Sequence, residues 1–189
     1  MHVVGIMGSP RRNSNTELLL DAALHGAEEC GATTRTVRVC EMAIEPCREY
    51  YHCAVDGTCS INDDMSELYQ VLVSSDRIVL ASPIFFYGLT SQVKAVVDRC
   101  QALWVRRHVL KTWNPDVEAR AGLFIAVGAT HGAQLFDGVL LTARYFFDAL
   151  GIRHSGQLLV RGVDGRAAIK EHPDYIEQAR EAGRTLIAR

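Results

Sequence analysis

The chain has 189 residues, a net charge of −2 and 48% hydrophobic residues. This length suits a single domain, residues 1–189, and the near-neutral charge gives no reason to expect a nucleic acid or an anionic membrane as a partner. No apolar run approaches the ~20 residues that cross a bilayer, and a predicted strand follows Met1 too closely for a signal peptide. We therefore expect a cytoplasmic protein. In that compartment the six cysteines are expected to be free thiols, metal ligands or redox groups rather than disulfides.

Apolar, β-rich runs alternate with helical patterns along the chain. Strands are predicted over residues 2–8, 34–39, 77–81, 121–127 and 152–160. Helices are predicted over residues 14–30, 62–75, 90–103, 133–150 and 173–188. A cysteine-containing excursion (40–61) and a polar loop or partner surface (104–119) interrupt the alternation. The five β–α units predict an α/β fold with a five-stranded parallel sheet and helices on both faces. Ligands of such sheets bind at the carboxyl ends of the strands, here in loops 8–16, 82–91 and 128–134.

Small and hydroxylated residues join the first strand to the first helix. Backbone N–H groups and the helix dipole bind anions at such a position. Side chains of the same loop add donors or positive charge: Ser9, Arg11 or Arg12, Ser14, Asn15 and Thr16. Because the loop has neither the nucleoside-triphosphate P-loop pattern nor the dinucleotide fingerprint, it predicts a site for a terminal monophosphate. The alternative is that Ser14 or Asn15 simply caps the helix.

Three consecutive aromatic residues follow the third predicted strand, between Pro83 and Gly88: Phe85, Phe86 and Tyr87. Three adjacent side chains in a loop cannot all point into one core. They suit contact with a flat ring, whose heteroatoms the loop backbone can hydrogen-bond. The alternative is a hydrophobic loop that packs on a partner subunit, and the two interpretations are compatible.

These two motifs resemble those of the NADPH-dependent FMN reductase family, and most closely its iron–sulfur flavoprotein branch. They read Gly-Ser-Pro-Arg-x-x-Ser-Asn-Thr (8–16) and Ser-Pro-Ile-Phe-Phe-Tyr-Gly-Leu-Thr-Ser-Gln-Val-Lys-Ala-x-x-Asp-Arg (82–99). The similarity runs from residue 3 to about residue 100. It implies a flavodoxin-like three-layer sandwich, FMN bound without a covalent link, and a homodimer or homotetramer with flavin sites near the subunit boundary.

The resemblance also assigns roles to residues of the three loops. It implies that the FMN phosphate is held by Ser9, Arg11, Ser14, Asn15 and Thr16. The isoalloxazine ring would be lined by Pro83, Ile84, Phe85, Phe86, Tyr87 and Gly88, and closed on its other side by residues 128–133, including Thr130 and His131. His131 is placed for a ring contact or a substrate proton, or is simply an exposed or structural histidine. Flavin chemistry requires no catalytic acid or base, and we name none.

The implied activity is hydride transfer from NAD(P)H to bound FMN and on to an acceptor. Quinones, nitroaromatics, free flavin or a protein could accept the electrons, and no motif selects NADPH over NADH. Two alternatives remain. One is a non-enzymatic FMN electron carrier, although such carriers are usually strongly acidic and this chain has 22 acidic and 20 basic residues. The other is a flavin redox sensor with the cysteine loop as its switch.

The cysteine loop departs from the pattern of the iron–sulfur branch. That branch carries Cys-x-x-Cys-x-x-Cys and then a fourth cysteine, which hold a [4Fe–4S] cluster. This chain has Cys47, Cys53 and Cys59, with Tyr50 in the second position. Because a four-iron cluster normally takes four thiolates, we expect no cluster and no metal. The alternatives are a less stable cluster on three thiolates with water or His52, or a zinc site on the three cysteines and His52.

Overall fold

A computed structural model describes residues 1–188 and shows one five-stranded parallel sheet. The strands are β1 (His2–Met7), β2 (Thr33–Arg38), β3 (Arg77–Pro83), β4 (Ala121–Gly128) and β5 (Arg153–Arg161). Their order across the sheet is β2-β1-β3-β4-β5, and every neighbouring pair is parallel. The central strands β1, β3 and β4 are almost wholly buried, as their continuous apolar runs predict.

Helices cover both faces of the sheet. They are α1 (Asn15–Glu29), α2 (Cys53–Asp56), α3 (Met65–Ser74), α4 (Ser91–Arg99), α5 (Gln101–Trp104), α6 (Asp137–Ala149) and α7 (Pro173–Ala188). One core cluster lies under α1 and α7 and includes Leu20 and Leu186. The second lies under α3, α4 and α6 and includes Leu68 and Phe146. The predicted arrangement of a parallel sheet between two helical layers is therefore confirmed. Within residues 1–188, no helix combines the length and apolar character needed to span a bilayer.

Helices α1 and α7 approach each other unusually closely. A Cβ atom on Gly183 would lie 1.8 Å from the carbonyl oxygen of Ala23, and one on Gly26 would lie 2.0 Å from that of Arg180. Neither position has room for a side chain, so two glycines set this helix spacing. The contact joins the first helix of the chain to the last described one.

Two predicted boundaries were wrong. The helix predicted from residue 133 begins at Asp137, because residues 129–136 form a loop in which Arg161 binds the carbonyls of Gly132 and Ala133. The segment 104–119, predicted as a loop, continues the helix of α5 through a π-helical turn, Val105–Val109. Val105 is buried there, and the ring centroids of Trp104 and His108 lie 5.4 Å apart, so packing outweighs the polar composition.

Candidate active site

The loop between β1 and α1 is organised by its own serines. Ser14 is the N-cap of α1, and its hydroxyl oxygen accepts a hydrogen bond from the N–H of Glu17 at 3.1 Å. The hydroxyl oxygen of buried Ser9 accepts one from the N–H of Arg11 at 3.3 Å. Ser14 therefore does cap the helix, as the alternative interpretation predicts. A capping hydroxyl still has its own proton to donate, so capping and anion binding are compatible.

Unused donors converge at the start of α1. Within residues 1–188, the backbone N–H groups of Asn15 and Thr16 donate no hydrogen bond, as is usual for the first turn of a helix. The hydroxyl of Thr16, a residue only 1% exposed, also has no hydrogen-bond partner in this part of the chain. These donors and the positive end of the helix dipole make a fitting site for an anion such as a phosphate.

The two arginines of this loop differ in whether their charge is already paired with a carboxylate. Arg12 forms an ion pair with Glu41 at 2.5 Å. Arg11 is exposed, and its guanidinium contacts no carboxylate among the described residues. Arg11 is therefore the arginine whose charge is free to face an anion at this loop.

The side chain of Asn15 is engaged elsewhere. Its amide nitrogen donates to the carbonyls of Asp164 at 3.2 Å and Gly165 at 2.9 Å, and its amide oxygen accepts from the N–H of Ile169 at 3.0 Å. Both N–H donors and one of the two acceptor positions of this amide are used within the protein. Asn15 can thus offer an anion its backbone N–H, while its side chain fixes the segment after β5 against the loop.

Glu17, in the first turn of α1, contributes to this site and was missed by the sequence analysis. Its buried carboxylate accepts a hydrogen bond from the N–H of Asn13 at 2.6 Å and pairs with the guanidinium of Arg38. The ion pair neutralises a negative charge that would otherwise oppose anion binding. The spacing from Ser14 to Glu17 is that of a capping box, a signal that was available in the sequence.

The aromatic residues after β3 form a tight, exposed turn. Phe85 and Gly88 exchange two backbone hydrogen bonds of 3.0 and 2.9 Å, and both residues between them have positive φ, 49° at Phe86 and 62° at Tyr87. Such angles cost non-glycine residues of order 1–3 kcal/mol each and are often kept at binding sites. Phe86 is fully exposed, and Phe85 and Tyr87 are about half exposed. The turn thus presents apolar rings to solvent at the carboxyl edge of the sheet.

Residues 128–134 lie beside this turn. Thr130 and His131 are both exposed, and the His131 ring packs so closely on the end of β5 that a Cβ atom on Gly162 would lie 2.1 Å from it. The Tyr87 hydroxyl packs on the same loop, 2.7 Å from the position of a Cβ atom on Gly132. The structure therefore brings the second and third predicted loops together.

Backbone hydrogen bonds connect all three loops. The N–H of Gly8 donates to the carbonyl of Ala81 at 2.8 Å, and the hydroxyl of Thr90 donates to the carbonyl of Gly8, also at 2.8 Å. The N–H of Ile84 donates to the carbonyl of Val127 at 2.9 Å. The carboxyl ends of β1, β3 and β4 thus adjoin along one edge of the sheet, where ligands of parallel sheets bind.

Arg161, at the end of β5, is a second residue that the sequence analysis missed. Its guanidinium donates to the carbonyl of Gly132 and, at 3.2 Å, to that of Ala133, and it lies over the ring of buried Phe136 at 5.0 Å. Arg161 thereby holds the third loop in place. No local motif marks it, because all its partners come from a different part of the chain.

We expect the variant Arg161→Met to loosen the third loop without disturbing the sheet. Losing two hydrogen bonds from a half-buried charged donor should lower the opening free energy of residues 129–135 by about 1–2 kcal/mol. Hydrogen–deuterium exchange of these amides should then be roughly tenfold faster, since 1.4 kcal/mol is a factor of ten. The matched control is Arg35→Met, which removes an exposed arginine on the edge strand. Unchanged exchange at residues 129–135 would contradict the role given to Arg161.

Comparison with known proteins identifies the family. The family model described as NADPH-dependent FMN reductase matches residues 1–155. This chain is a member of the NADPH-dependent FMN reductase family. An iron–sulfur flavoprotein of Archaeoglobus fulgidus is 40% identical over 142 residues, which are 74% of this chain and 69% of that protein. A protein of Cupriavidus metallidurans named NAD(P)H dehydrogenase (quinone) is 27% identical over 156 residues, 80% of this chain and 72% of the relative.

A solved structure supports the fold. The NAD(P)H:quinone oxidoreductase from Methanothermobacter marburgensis superposes with a TM-score of 0.72 at 19% identity, covering 98% of this chain and 96% of the other. The flavodoxin-like fold is confirmed. By its family the protein is an FMN-dependent NAD(P)H oxidoreductase, and the unused donors at the start of α1 fit the phosphate of FMN.

The cysteine loop forms a separate cavity of about 580 Å³. Its lining includes Cys47, Cys53 and Cys59 together with Tyr50. Cys47 is exposed, and the other two thiols are half-buried. Burial raises the pKa of the Cys53 thiol, and the nearby Cys59 and Cys47 raise it further. Among residues 1–188, no three His, Cys, Asp or Glu side chains are placed to hold a single metal ion, and the loop offers one thiol fewer than the four that an iron–sulfur cluster takes.

Arg99 fixes the base of this loop. Its Nη1 donates to the carbonyl of Glu45 at 3.0 Å, and its Nη2 donates to that of Ile61 at 3.2 Å. The same two nitrogens bind both carboxylate oxygens of Asp63, at 2.7 and 3.1 Å. Arg99 is 2% exposed, so this is a buried bidentate ion pair that closes both ends of the cysteine segment.

Proposed function

We propose that the protein reduces small quinone-type acceptors with NAD(P)H at an FMN bound across the three loops. The observation that carries this proposal is the exposed aromatic turn beside the anion site, both at the carboxyl edge of one parallel sheet. A flat acceptor and a nicotinamide both need an open, apolar approach of this kind. The relative from Cupriavidus metallidurans named NAD(P)H dehydrogenase (quinone) supports the choice of acceptor.

The chain's own residues hold and orient the cofactor in this proposal. The FMN phosphate binds the backbone N–H groups of Asn15 and Thr16, the hydroxyls of Ser9, Ser14 and Thr16, and the charge of Arg11. Residues 83–88 line one side of the flavin ring, and residues 128–133, with Thr130 and His131, line the other. When bound, FMN supplies hydride transfer in two directions, from a nicotinamide and to an acceptor. The net reaction converts NAD(P)H, a proton and a quinone into NAD(P)⁺ and a hydroquinone.

We also propose that residues 1–189 act as one FMN-binding unit in the cytoplasm, assembled as a homodimer or homotetramer. Exposed apolar side chains on α6, Leu141 and Tyr145, and the fully exposed Phe86 support self-association. Equilibrium sedimentation of the FMN-loaded protein tests this assembly, and a monomer at micromolar concentration would contradict it.

The test of the activity begins with the anaerobic, FMN-loaded protein and its visible spectrum. Addition of NADPH or NADH should bleach the flavin bands, and a stoichiometric amount of a water-soluble benzoquinone should restore them. Free FMN with the same reagents is the control, because it reacts slowly with nicotinamides. Bands that bleach with dithionite and persist with either nicotinamide would favour an electron carrier or a redox sensor. A protein that takes up no FMN would overturn the flavin assignment.

A further inference from the structure

We infer that the cysteine loop is the frame of a four-thiolate iron–sulfur site in which Tyr50 occupies the place of one ligand. Where iron–sulfur proteins use a local run of cysteines, two residues commonly separate successive ligands. Position 50 is separated by two residues from Cys47 and by two from Cys53, and the Tyr50 side chain lines the same cavity as the three thiols. One tyrosine therefore separates this loop from the complete ligand pattern.

The two ends of the cysteine loop are held by contacts that involve no metal. The buried Arg99 binds the backbone at Glu45 and Ile61, on either side of the three cysteines, and is itself paired with Asp63. Its Nε atom is buried without a hydrogen-bond partner among the described residues. Arg99 thus fixes both ends of the segment that carries the three cysteines through contacts that involve no metal.

The groups that could replace a fourth thiolate are poorly placed for it. The Tyr50 hydroxyl accepts a hydrogen bond from Arg48 at 3.5 Å, and the side chain is 62% exposed. The Nδ1 atom of His52 faces the carbonyl of Thr58 at 3.4 Å and the carboxylate of Asp56 at 3.8 Å. A cluster on three thiolates would thus have its remaining iron open to water at an exposed mouth, which favours loss of the iron. We conclude that this chain does not retain a four-iron cluster.

This conclusion restricts which electron acceptors the protein can use, and that step rests on the proposed function. Without a second redox centre to carry single electrons away, electrons leave from the flavin itself. The acceptor must then reach the flavin ring itself. A small quinone meets this requirement, and a protein that docks over the cysteine loop does not.

The experiment restores the missing ligand. Wild-type protein, Tyr50→Cys and the matched control Tyr51→Cys are each incubated anaerobically with ferrous iron, sulfide and dithiothreitol, desalted, and analysed for iron and acid-labile sulfide. Tyr51 also lines the cavity and is 69% exposed, and its φ of 56° makes cysteine no more strained there than tyrosine. Tyr50→Cys should retain about four iron and four sulfide per chain, with a brown absorption shoulder. The wild type and Tyr51→Cys should retain less than a tenth of that.

Two results would overturn the inference. Iron and sulfide retained equally by the wild type would show that three thiolates suffice, and no gain in Tyr50→Cys would show that position 50 is not the missing ligand. Thermal unfolding of each variant without iron verifies its fold, and Cys53→Ser in the Tyr50→Cys background should abolish the gain. The readout involves neither FMN nor NAD(P)H, so failure here is distinguishable from failure of the proposed function.

Discussion

Replacing Thr16 with valine should weaken FMN binding by about 10- to 100-fold while leaving the FMN-free protein as stable as the wild type. Thr16 lies at the start of α1 and its hydroxyl has no hydrogen-bond partner within residues 1–188, so the FMN-free protein gains nothing from it. Hydrogen bonds to a charged group are worth about 1.5–3 kcal/mol, and each 1.4 kcal/mol is a factor of ten in affinity. Valine has nearly the same shape, so the loop itself should not move.

Two titrations measure this effect. Quenching of FMN fluorescence gives the dissociation constant, and urea unfolding without FMN gives the free energy of unfolding. The matched control is Thr36→Val on the exposed side of β2, which should change neither quantity by more than about 0.5 kcal/mol. Wild-type affinity in Thr16→Val would remove Thr16 from the phosphate site. Equal losses of affinity and stability would instead indicate a packing role.

Replacing Arg99 with methionine should lower the free energy of unfolding by about 3–5 kcal/mol. Removing one partner of a buried ion pair leaves an uncompensated charge, here on Asp63, and the carbonyls of Glu45 and Ile61 lose their donor as well. Lys94→Met is the control on the same helix, because Lys94 pairs with Asp98 at the exposed surface, where an ion pair is worth about 0–1 kcal/mol. Urea unfolding of both variants measures the difference, and similar losses in the two would refute the importance of the buried pair.

The same ion pair predicts a dependence of stability on pH. Burial raises the pKa of Asp63, but hydrogen bonds from Arg99 and from the N–H groups of Glu45 and Met65 outweigh burial, so the net shift is downward. A carboxyl with a lowered pKa in the folded state stabilises the protein fully above its unfolded pKa. Stability should therefore fall as the pH drops below about 4, the usual pKa of aspartate. Asp63→Asn should be less stable at neutral pH and should lose less stability on acidification, as urea unfolding at several pH values would show.

The sequence predicted the sheet well because its signals are local. Strand β3 is a continuous apolar run, and Gly31 follows the first helix with the positive φ that ends many helices. The errors came where distant residues decide the structure. Arg161 delays the start of α6 by holding the carbonyls of residues 132 and 133, and burial of Val105 extends a helix into a polar segment. Neither effect can be predicted from the residues that are near in the sequence.

For the candidate site, as for the fold, the sequence predicted the overall position better than the details. Its three loops follow from the motifs and from the topology of a parallel sheet, and the structure joins them through the bonds of Gly8 and the bond from Ile84 to Val127. The individual side chains were harder to predict. Asn15 was expected to face the phosphate, but its amide binds residues 164, 165 and 169. A donor-rich loop predicts that hydrogen bonds form, but only the folded chain decides which partner each donor takes.

The contacts of Asn15, Gly26 and Gly183 determine when, during synthesis of the chain, the cofactor can bind. The loop before α1 leaves the ribosome before its supports, because residues 164–169 and the helix around Gly183 are made about 150 residues later. At roughly 5–20 residues per second, the nascent loop waits on the order of ten seconds for them. FMN should therefore be a late ligand in biosynthesis. Ribosome-bound chains that end before residue 164 should not retain it.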